Sequence, residues 1–506
     1  MRIYGLLLST LLTAIFLTGC MVGPDFHTPK SPDTTRYTEK SLPEKTVSTP
    51  GIAQGGRSQY FVEGRDIPAE WWTLFHSRAL NALVQQGLDN SPNLAAAEAA
   101  LRVSQETLNA QIGTSMYPQV TLQASAQRNH ASTAAFSGTN KSNLFNLYNV
   151  GFPVTYTLDV FGGLRRQIEG LRAQVEYQQF QLEAAWLTMT SNIVTTAISI
   201  ASLQEQIQAT RELVRIQTDQ LRIVKGQFNL GGVSQANVLS QEAQLAQTEA
   251  SLPPLEQKLA QSTHALAVLV GTFPSNLATP RLDLDKITLP THLPVSLPTS
   301  LVRQRPDIRA SEALLASASA QIGVATANLY PVFNLTGNYG WTNTSTGTFF
   351  SPSNNVWSFG GTLLQPVFNG GALQAQKRGA IDAYQQAEAQ YRQTVLQAFQ
   401  NVADALRAVQ HDAETLRAQR RSEMASRRSM LLTQEQFKLG GVNYVVLLTA
   451  NQQYRLALIS RIQAQATRYI DTAALFQALG GGWWNQNRIQ NAQCACCVKC
   501  VKVAAK

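Results

Sequence analysis

Charge is scarce in this chain of 506 residues: Asp, Glu, Lys and Arg make up 14%, against 44% for hydrophobic types. So little charge over such a length argues against an ordinary cytosolic enzyme. Ala, Gln, Leu, Ser and Thr fill the gap and suggest surfaces that are polar but uncharged. The 41 basic residues exceed the 32 acidic ones by nine. They are scattered in short pairs such as Arg420-Arg421 and Arg427-Arg428, without a stripe of interleaved aromatics, so nucleic acid is not an expected partner. The six histidines lie far apart with no metal-ligand spacing, and His411-Asp412 reads as a surface pair. There is no serine nucleophile elbow, and Gly480-Gly481-Gly482 lacks the Lys and Ser/Thr that complete a phosphate loop. No catalytic residue, metal or cofactor is expected, and no enzyme.

Cysteine is nearly absent until the tail, where Cys494, Cys496, Cys497 and Cys500 cluster. No His or acidic residue joins them, so a dispensable tail is favoured over a soft-metal site. The fifth cysteine, Cys20, ends the stretch Leu17-Thr18-Gly19-Cys20 after a short apolar run from Ile3. That run is too short to span a bilayer and reads as a signal-peptide core. LTGC resembles a bacterial lipobox, which makes Cys20 the expected site of lipidation; the alternative is a plain secretory signal with a chance cysteine. Met21, rather than Asp, favours sorting to the outer membrane by the same resemblance. No later stretch offers 18 uninterrupted apolar residues, so no transmembrane helix is expected after the signal.

What the chain does have is a duplication. SPNLAAAEAAL (Ser91 to Leu101) matches RPDIRASEALL (Arg305 to Leu315), and YPQVTLQAS (Tyr117 to Ser125) matches YPVFNLTGN (Tyr330 to Asn338). DVFGGLRRQ matches PVFNGGALQAQ, and FNLGGVSQANVL matches FKLGGVNYVVLL. Landmarks in one order over about two hundred residues mean two large units rather than a solenoid. The expected divisions are a signal peptide (1–19), a lipid-anchored extended segment with a first helix (20–90), two structural repeats (91–297 and 298–484) and a cysteine tail expected to be disordered (485–506).

Each repeat opens with a helix, about Asn93 to Ser115 and Asp307 to Asn328, with Pro92 and Pro306 in the tolerant first turn. Alternation with a period of two follows. Val120, Leu122, Ala124 and Ala126 share a face, as do Val150, Phe152, Val154, Tyr156, Leu158 and Val160. The second repeat gives Phe333, Leu335, Tyr339 and Trp341, then Trp357, Phe359 and Leu363. These are expected strands of about 9 to 11 residues, the length that crosses a bilayer when tilted. Loops are expected over Asn129 to Asn146 and Thr342 to Asn354. Alternation also suits a half-buried soluble sheet; the large aromatics and the long helix after each pair favour the membrane.

From Leu164 to Phe228 there is no proline. Trp186, Ile193, Ile200, Ile207, Val214, Leu221 and Phe228 repeat every seven residues beside a companion series from Ile168, the a/d pattern of a coiled coil. The second repeat predicts the same helix from Leu373 to Leu439. LGG then ends each helix through a left-handed glycine cap. Ser234 and Asn443 are expected to cap return helices ending near Val270 and Leu479, with a kink at Pro253-Pro254. Four strands cannot close in lipid, where unpaired backbone groups cost several kcal/mol each. Three chains would give twelve strands. The expected fold is therefore mainly α with a small β part: a trimeric tube, a 12-stranded outer-membrane barrel continued by a long helical coiled-coil barrel.

Four segments carry a resemblance: VGPDFHTP after Cys20, WWTLFHSRALNALVQQGL (Trp71 to Leu88), LPTSLVRQRPDIRASEALLASASAQIGVATANLYPVFNLTG (Leu297 to Gly337) and ALGGGWW (Ala478 to Trp484). The chain resembles the TolC-like outer-membrane efflux proteins, in their NodT-like drug-efflux lipoprotein branch. The resemblance implies a homotrimeric exit duct in the outer membrane, held by its barrel and by lipid on Cys20. Its implied partners are a periplasmic adaptor and an inner-membrane pump of the resistance-nodulation-division type. It places adaptor contacts at the hairpin tips, Leu230, Gly231, Gly232, Val233, Leu439, Gly440, Gly441 and Val442. It places a gate near the tips. Gln434 stands where a gating Asp would align, so Asp219 and Glu435 are the acidic candidates, with Arg427, Arg428 and Lys438 as partners. A duct for type I protein secretion and a non-conducting coiled-coil scaffold are the alternatives.

Overall fold

The computed structural model describes residues 21–132, 142–277 and 280–485. The signal segment, Cys20 and the cysteine tail lie outside the described residues. The described residues divide into two compact units, the first lying within 1–29, 99–179 and 310–392 and the second within 30–98, 180–309 and 393–506.

The order of elements is β1 (Tyr60–Glu63), α1 (Arg78–Asn90), α2 (Pro92–Met116), β2 (Gln119–Val120), β3 (Gln123–Ser132) and β4 (Ser142–Leu158). Then come α3 (Gly163–Asn229), α4 (Gln235–Glu249), α5 (Leu252–Leu269), β5 (His292–Val295), α6 (Pro298–Gln304) and α7 (Pro306–Ala327). β6 (Val332–Asn343), β7 (Asn355–Leu364), α8 (Ala372–Lys438) and α9 (Tyr444–Ala478) complete it. The fold is mainly helical with a small strand part, as the sequence predicts. α3 and α8 each run 67 residues, within one residue of the expected ends.

In the first unit, β3, β4, β6 and β7 form an antiparallel sheet, with β2 on the same edge of β4 as β3. Two expectations need correction. β4 is 17 residues long, because its Asn- and Ser-rich start still pairs with β3, so the hairpin extends well into the predicted loop. The first strand is also interrupted at Thr121 and Leu122. Its register does not slip: Val120 opposes Val154 and Gln123 opposes Gly151. Pro153 stands opposite Thr121, accepts its N–H at 3.1 Å and has no N–H to return, so the ladder lapses there.

The second unit holds the main core. Heptad residues Trp186, Ile193, Ile200 and Ile207 are buried, but so are Val194, Ala197, Ile198 and Ala201. Mid-length, α3 is therefore enclosed on more than a two-stranded seam. By composition one window of α3 could cross a bilayer, yet 61% of it is buried in the protein's own interior. The return helix does not kink at Pro253-Pro254 but breaks before them. α4 ends at Glu249, and the prolines occupy the first turn of α5, where a missing N–H costs least.

Three further devices lock this core, and the short parallel pair of β1 and β5 went unforeseen. Arg468 is fully buried; it donates to Gly55 O at 2.9 Å, Arg57 O at 2.7 Å, Thr46 Oγ1 at 3.1 Å and Gln59 Oε1 at 3.3 Å. Burial pushes its pKa down to about 10. Arg305 donates to Ala478 O at 2.9 Å and pairs with Asp307 at 2.6 Å. Gly480, Gly481 and Gly482 all adopt positive φ, and a β-carbon on each would strike Gln304 O, Leu187 or Ile67 O respectively. That backbone turn lets Trp483 Nε1 donate to Gln304 O at 2.6 Å and Trp484 Nε1 to Asp66 Oδ1 at 2.9 Å. Gly481→Ala should therefore destabilise the protein by about 2–4 kcal/mol, combining left-handed strain with overpacking. The midpoint of thermal unfolding checks it against Gly379→Ala, a helical site with open space around it.

His411 is exposed and Nδ1 lies 3.2 Å from Glu414, but Asp412 is not the surface residue expected. Its Oδ2 is buried without a hydrogen-bond partner. Burial first, and then the neighbouring Asp471 carboxyl, push its pKa up to about 7, with Arg468 opposing. A carboxyl that holds its proton more tightly when folded stabilises fully below its ordinary value near 3.8, and that contribution is lost as pH rises to about 7. The thermal stability of the wild type should thus fall from pH 5 to pH 8, and Asp412→Asn should flatten that slope.

Candidate functional site

From Val150 to Leu158 the sheet of the first unit has two chemically opposite faces; toward the β3–β4 hairpin end they mix, with Arg128 and His130 on the apolar side and Phe145 and Leu147 on the polar side. Phe152, Tyr339 and Trp357 stand in one row across three strands; Leu158, Phe333 and Leu363 form another. Val154 and Phe359 flank Gly337, and Val150 opposes Trp341. All the alternating apolar residues predicted within the ladder fall on this face. It is left uncovered: Trp357 is 75% exposed and Phe359 77%. So contiguous an apolar surface is expected to meet something other than water.

The opposite face carries Thr155, Thr157, Asn334, Thr336, Asn338, Ser358 and Thr362. Its rows are tied by side chains. Asn149 Nδ2 donates to Ser125 Oγ at 3.3 Å, and Thr342 Oγ1 donates to Asn149 Oδ1 at 2.8 Å, linking three strands. Thr157 Oγ1 donates to Asn334 Oδ1 at 2.8 Å. These rows carry no charge, so the surface wets without holding an ion. Among the described residues β7 pairs with β6 alone, and β2 and β3 with β4 alone, so both sheet edges are open.

The predicted tips lie in the second unit and share one geometry. Gly231 (φ +75°) donates to Phe228 O at 2.9 Å, and Gly232 to Gln227 O at 2.8 Å. Gly440 (φ +74°) donates to Phe437 O at 3.0 Å, and Gly441 to Gln436 O at 2.8 Å. Both are six-to-one and five-to-two closures around a left-handed glycine. Leu230 and Leu439 project outward, 89% and 85% exposed, while Val233 and Val442 are half-buried. The return helices start differently. Asn443 Oδ1 accepts from Val446 N at 3.1 Å, as expected of a cap, whereas Ser234 holds the cap position without a side-chain bond.

The two tips are joined by a small cluster in which Val224 and Val238 pack with Tyr444 and Leu447. Nearby, Gln217, Gln220, Gln227, Gln241 and Gln244 each bury a polar side-chain atom without a partner. Buried unpaired amides weaken a packed seam, by roughly 1–3 kcal/mol each.

The gate candidates separate. Asp219 bonds Arg222 at 2.9 Å and lies 3.8 Å from Arg215, all on α3. Glu435 pairs with Lys438 at 2.8 Å, within α8. Arg427 and Arg428 are exposed, and Gln434 is half-buried. None of these pairs joins two helices. The ion pairs that do are ones the sequence did not single out. Arg461 on α9 meets Glu205 on α3 at 2.9 Å and Glu423 on α8 at 3.5 Å, and Glu423 also takes Arg420 at 2.6 Å. Lys225 pairs with Glu242 across the first hairpin at 2.6 Å. Their heptad positions resemble any solvated charge, so the sequence carried no signal for them. Among the described residues no group of three His, Cys, Asp or Glu could hold a metal ion.

The family model described as "Outer membrane efflux protein" matches residues 83–272 and 297–481. The probable efflux pump outer membrane protein TtgC of Pseudomonas putida is 27% identical over 96% of this chain and 98% of its own. Nodulation protein T of Rhizobium leguminosarum bv. viciae is 28% identical over 93% and 92%. The solved outer-membrane channel OprN is 28% identical with a TM-score of 0.82, covering 92% of this chain and all of its own. With its two-faced sheet, its paired 67-residue helices and these likenesses, the chain belongs to the outer membrane efflux protein family.

Proposed function

We propose that this protein is the outer-membrane exit duct of a tripartite efflux system, passively conducting drugs or other small toxic compounds. An inner-membrane pump, of the resistance-nodulation-division type, delivers them through a periplasmic adaptor. The observation that carries the reading is the sheet, with one uncharged polar face, one apolar aromatic face and two open edges. In lipid an open edge costs several kcal/mol for each unpaired backbone group. Pairing β7 of one copy with β3 of the next removes both edges, and three copies make twelve strands with lipid outside and water inside. The protein then supplies a path and no chemistry: it makes no bond and needs no cofactor beyond lipid on Cys20. A wall of Thr, Asn and Ser selects no one compound, which leaves selection to the pump.

The tips supply the docking surface. Leu230 and Leu439 offer apolar knobs on rigid turns, and the residues around them, Gly231, Gly232, Val233, Gly440, Gly441 and Val442, set their positions. The glutamine seam behind the tips is the weak join along which the hairpins part when the duct opens. Asp219, Gln434, Glu435, Arg427, Arg428 and Lys438 stand toward that end as gate candidates, Asp219 and Glu435 holding their partners within their own helices.

Cells lacking the gene should retain more of a hydrophobic fluorescent dye, with retention reversed by complementation; equal retention in both strains would contradict the reading. Substituting Val at Gly440 and Gly441 should abolish cross-linking to the adaptor while trimers persist on native gels. A loss of trimers instead would show that these turns hold the fold rather than a partner.

A further inference from the structure

The described chain begins in a built seat within the first unit. Val22 N donates to Phe161 O at 3.1 Å. The Arg166 guanidinium then closes over the same segment. Nε donates to Val22 O at 3.2 Å, and Nη2 donates to Gly23 O at 3.2 Å and to Asp25 Oδ1 at 2.7 Å. Nη1 donates to Glu169 Oε2 at 2.8 Å. The Arg166 side chain is 1% exposed. A buried cation is tolerated when its donors are used and its charge is matched, and here most of its partners come from residues 22–25.

Three glycines make the fit possible. Gly23 has φ +93°, and a β-carbon there would fall on Gly323 Cα; a β-carbon on Gly323 would in turn fall on the Arg166 side chain. Met21 lies against Gly162, itself at φ +77°. Val22, Gly23 and Asp25 of the VGPDF stretch thus make contacts that lead to one slot, and Arg166 fills its floor.

The seat adjoins the foot of the sheet. Phe161, whose carbonyl holds Val22, follows β4 by three residues and stacks on Tyr330 at 4.6 Å. Tyr330 and Tyr117 each precede a strand by two residues and are exposed. Aromatic residues at the ends of membrane strands mark the water interface.

We propose that Arg166 is a positioning residue for the lipid anchor: it clamps Met21–Asp25 at the foot of the strands, so that acyl chains on Cys20 enter the bilayer beside the chain's own sheet. The clamp turns a tether into a fixed mount. It acts before and apart from the lipid, because Arg166 grips the backbone of Val22 and Gly23 and the carboxylate of Asp25. The proposal rests on lipidation of Cys20 for its purpose but not for its geometry.

Chymotrypsin cleavage at Phe26, read by mass spectrometry on the full-length protein in detergent-solubilised outer membranes, tests it. The wild type should resist, and Arg166→Gln and Gly23→Val should each be cut at least fivefold faster, with Asp25→Asn between. Gly23→Val leaves Arg166 and Glu169 in place, so faster cutting in that variant is not a consequence of a misfolded helix. Unchanged rates in both Arg166→Gln and Gly23→Val would overturn the clamp. A Cys20→Ser chain, exported without lipid, should stay as protected as the wild type; loss of protection there would show that lipid, not Arg166, holds the segment. The same spectra report lipid on Cys20, so an unlipidated wild type would overturn the anchoring role while the cleavage rates still judge the seat.

Discussion

A hydrocarbon layer offers no partner to a backbone N–H or C=O, and that single constraint organises the rest of this molecule. A soluble protein can leave an edge strand wet. Here the face carrying Phe152, Tyr339, Trp357 and Phe359 is suited to lipid, and its two edges cannot stay open beside it. Among the described residues the chain's own strands leave both edges open, and that is the ground for proposing closure on other copies. The opposite face, with its Asn, Thr and Ser rows, gains its meaning from closure, since a polar surface that curls inward encloses water.

The second unit meets a different demand. It must hold its lengths of the two 67-residue helices, which draw most of their stability from packing rather than propensity, in one fixed arrangement. It does so with rigid polar locks rather than bulk alone. Arg468 ties the segment around Gly55 and Arg57 to α9, Arg305 ties the start of α7 to the end of α9, and three consecutive left-handed glycines seat Trp483 and Trp484. Toward the tips the locks give way to unpaired glutamines.

Much of this was legible because period carries physical meaning. Alternation by two grouped Tyr339 with Trp341, and Trp357 with Phe359, before any register was known, and the heptads ending in LGG placed both helix ends within one residue. What failed to read out depended on residues distant in sequence. The lapse at Thr121 is caused by Pro153 across the ladder. Asp412 looked like a surface neighbour of His411, and its burial follows from α9. Ser234 and Asn443 occupy equivalent positions, yet one side chain caps and the other does not. The gate candidates were chosen from one helix at a time, and their observed pairs stay within one helix, whereas Glu205, Arg461 and Glu423 became visible as a group once three helices were packed. Arg166 gave no signal, because three of its four partners lie 141 to 144 residues away.

The central claim is that the open edges close on further copies of the same chain. Single cysteines placed on the exposed edges of β3 and β7, in a background without the tail cysteines, test it by oxidation in intact outer membranes. Closure by three copies predicts that a chain carrying both yields covalent species up to the trimer and nothing larger, while either cysteine alone yields none. Monomers throughout, or ladders that continue past three, would contradict it.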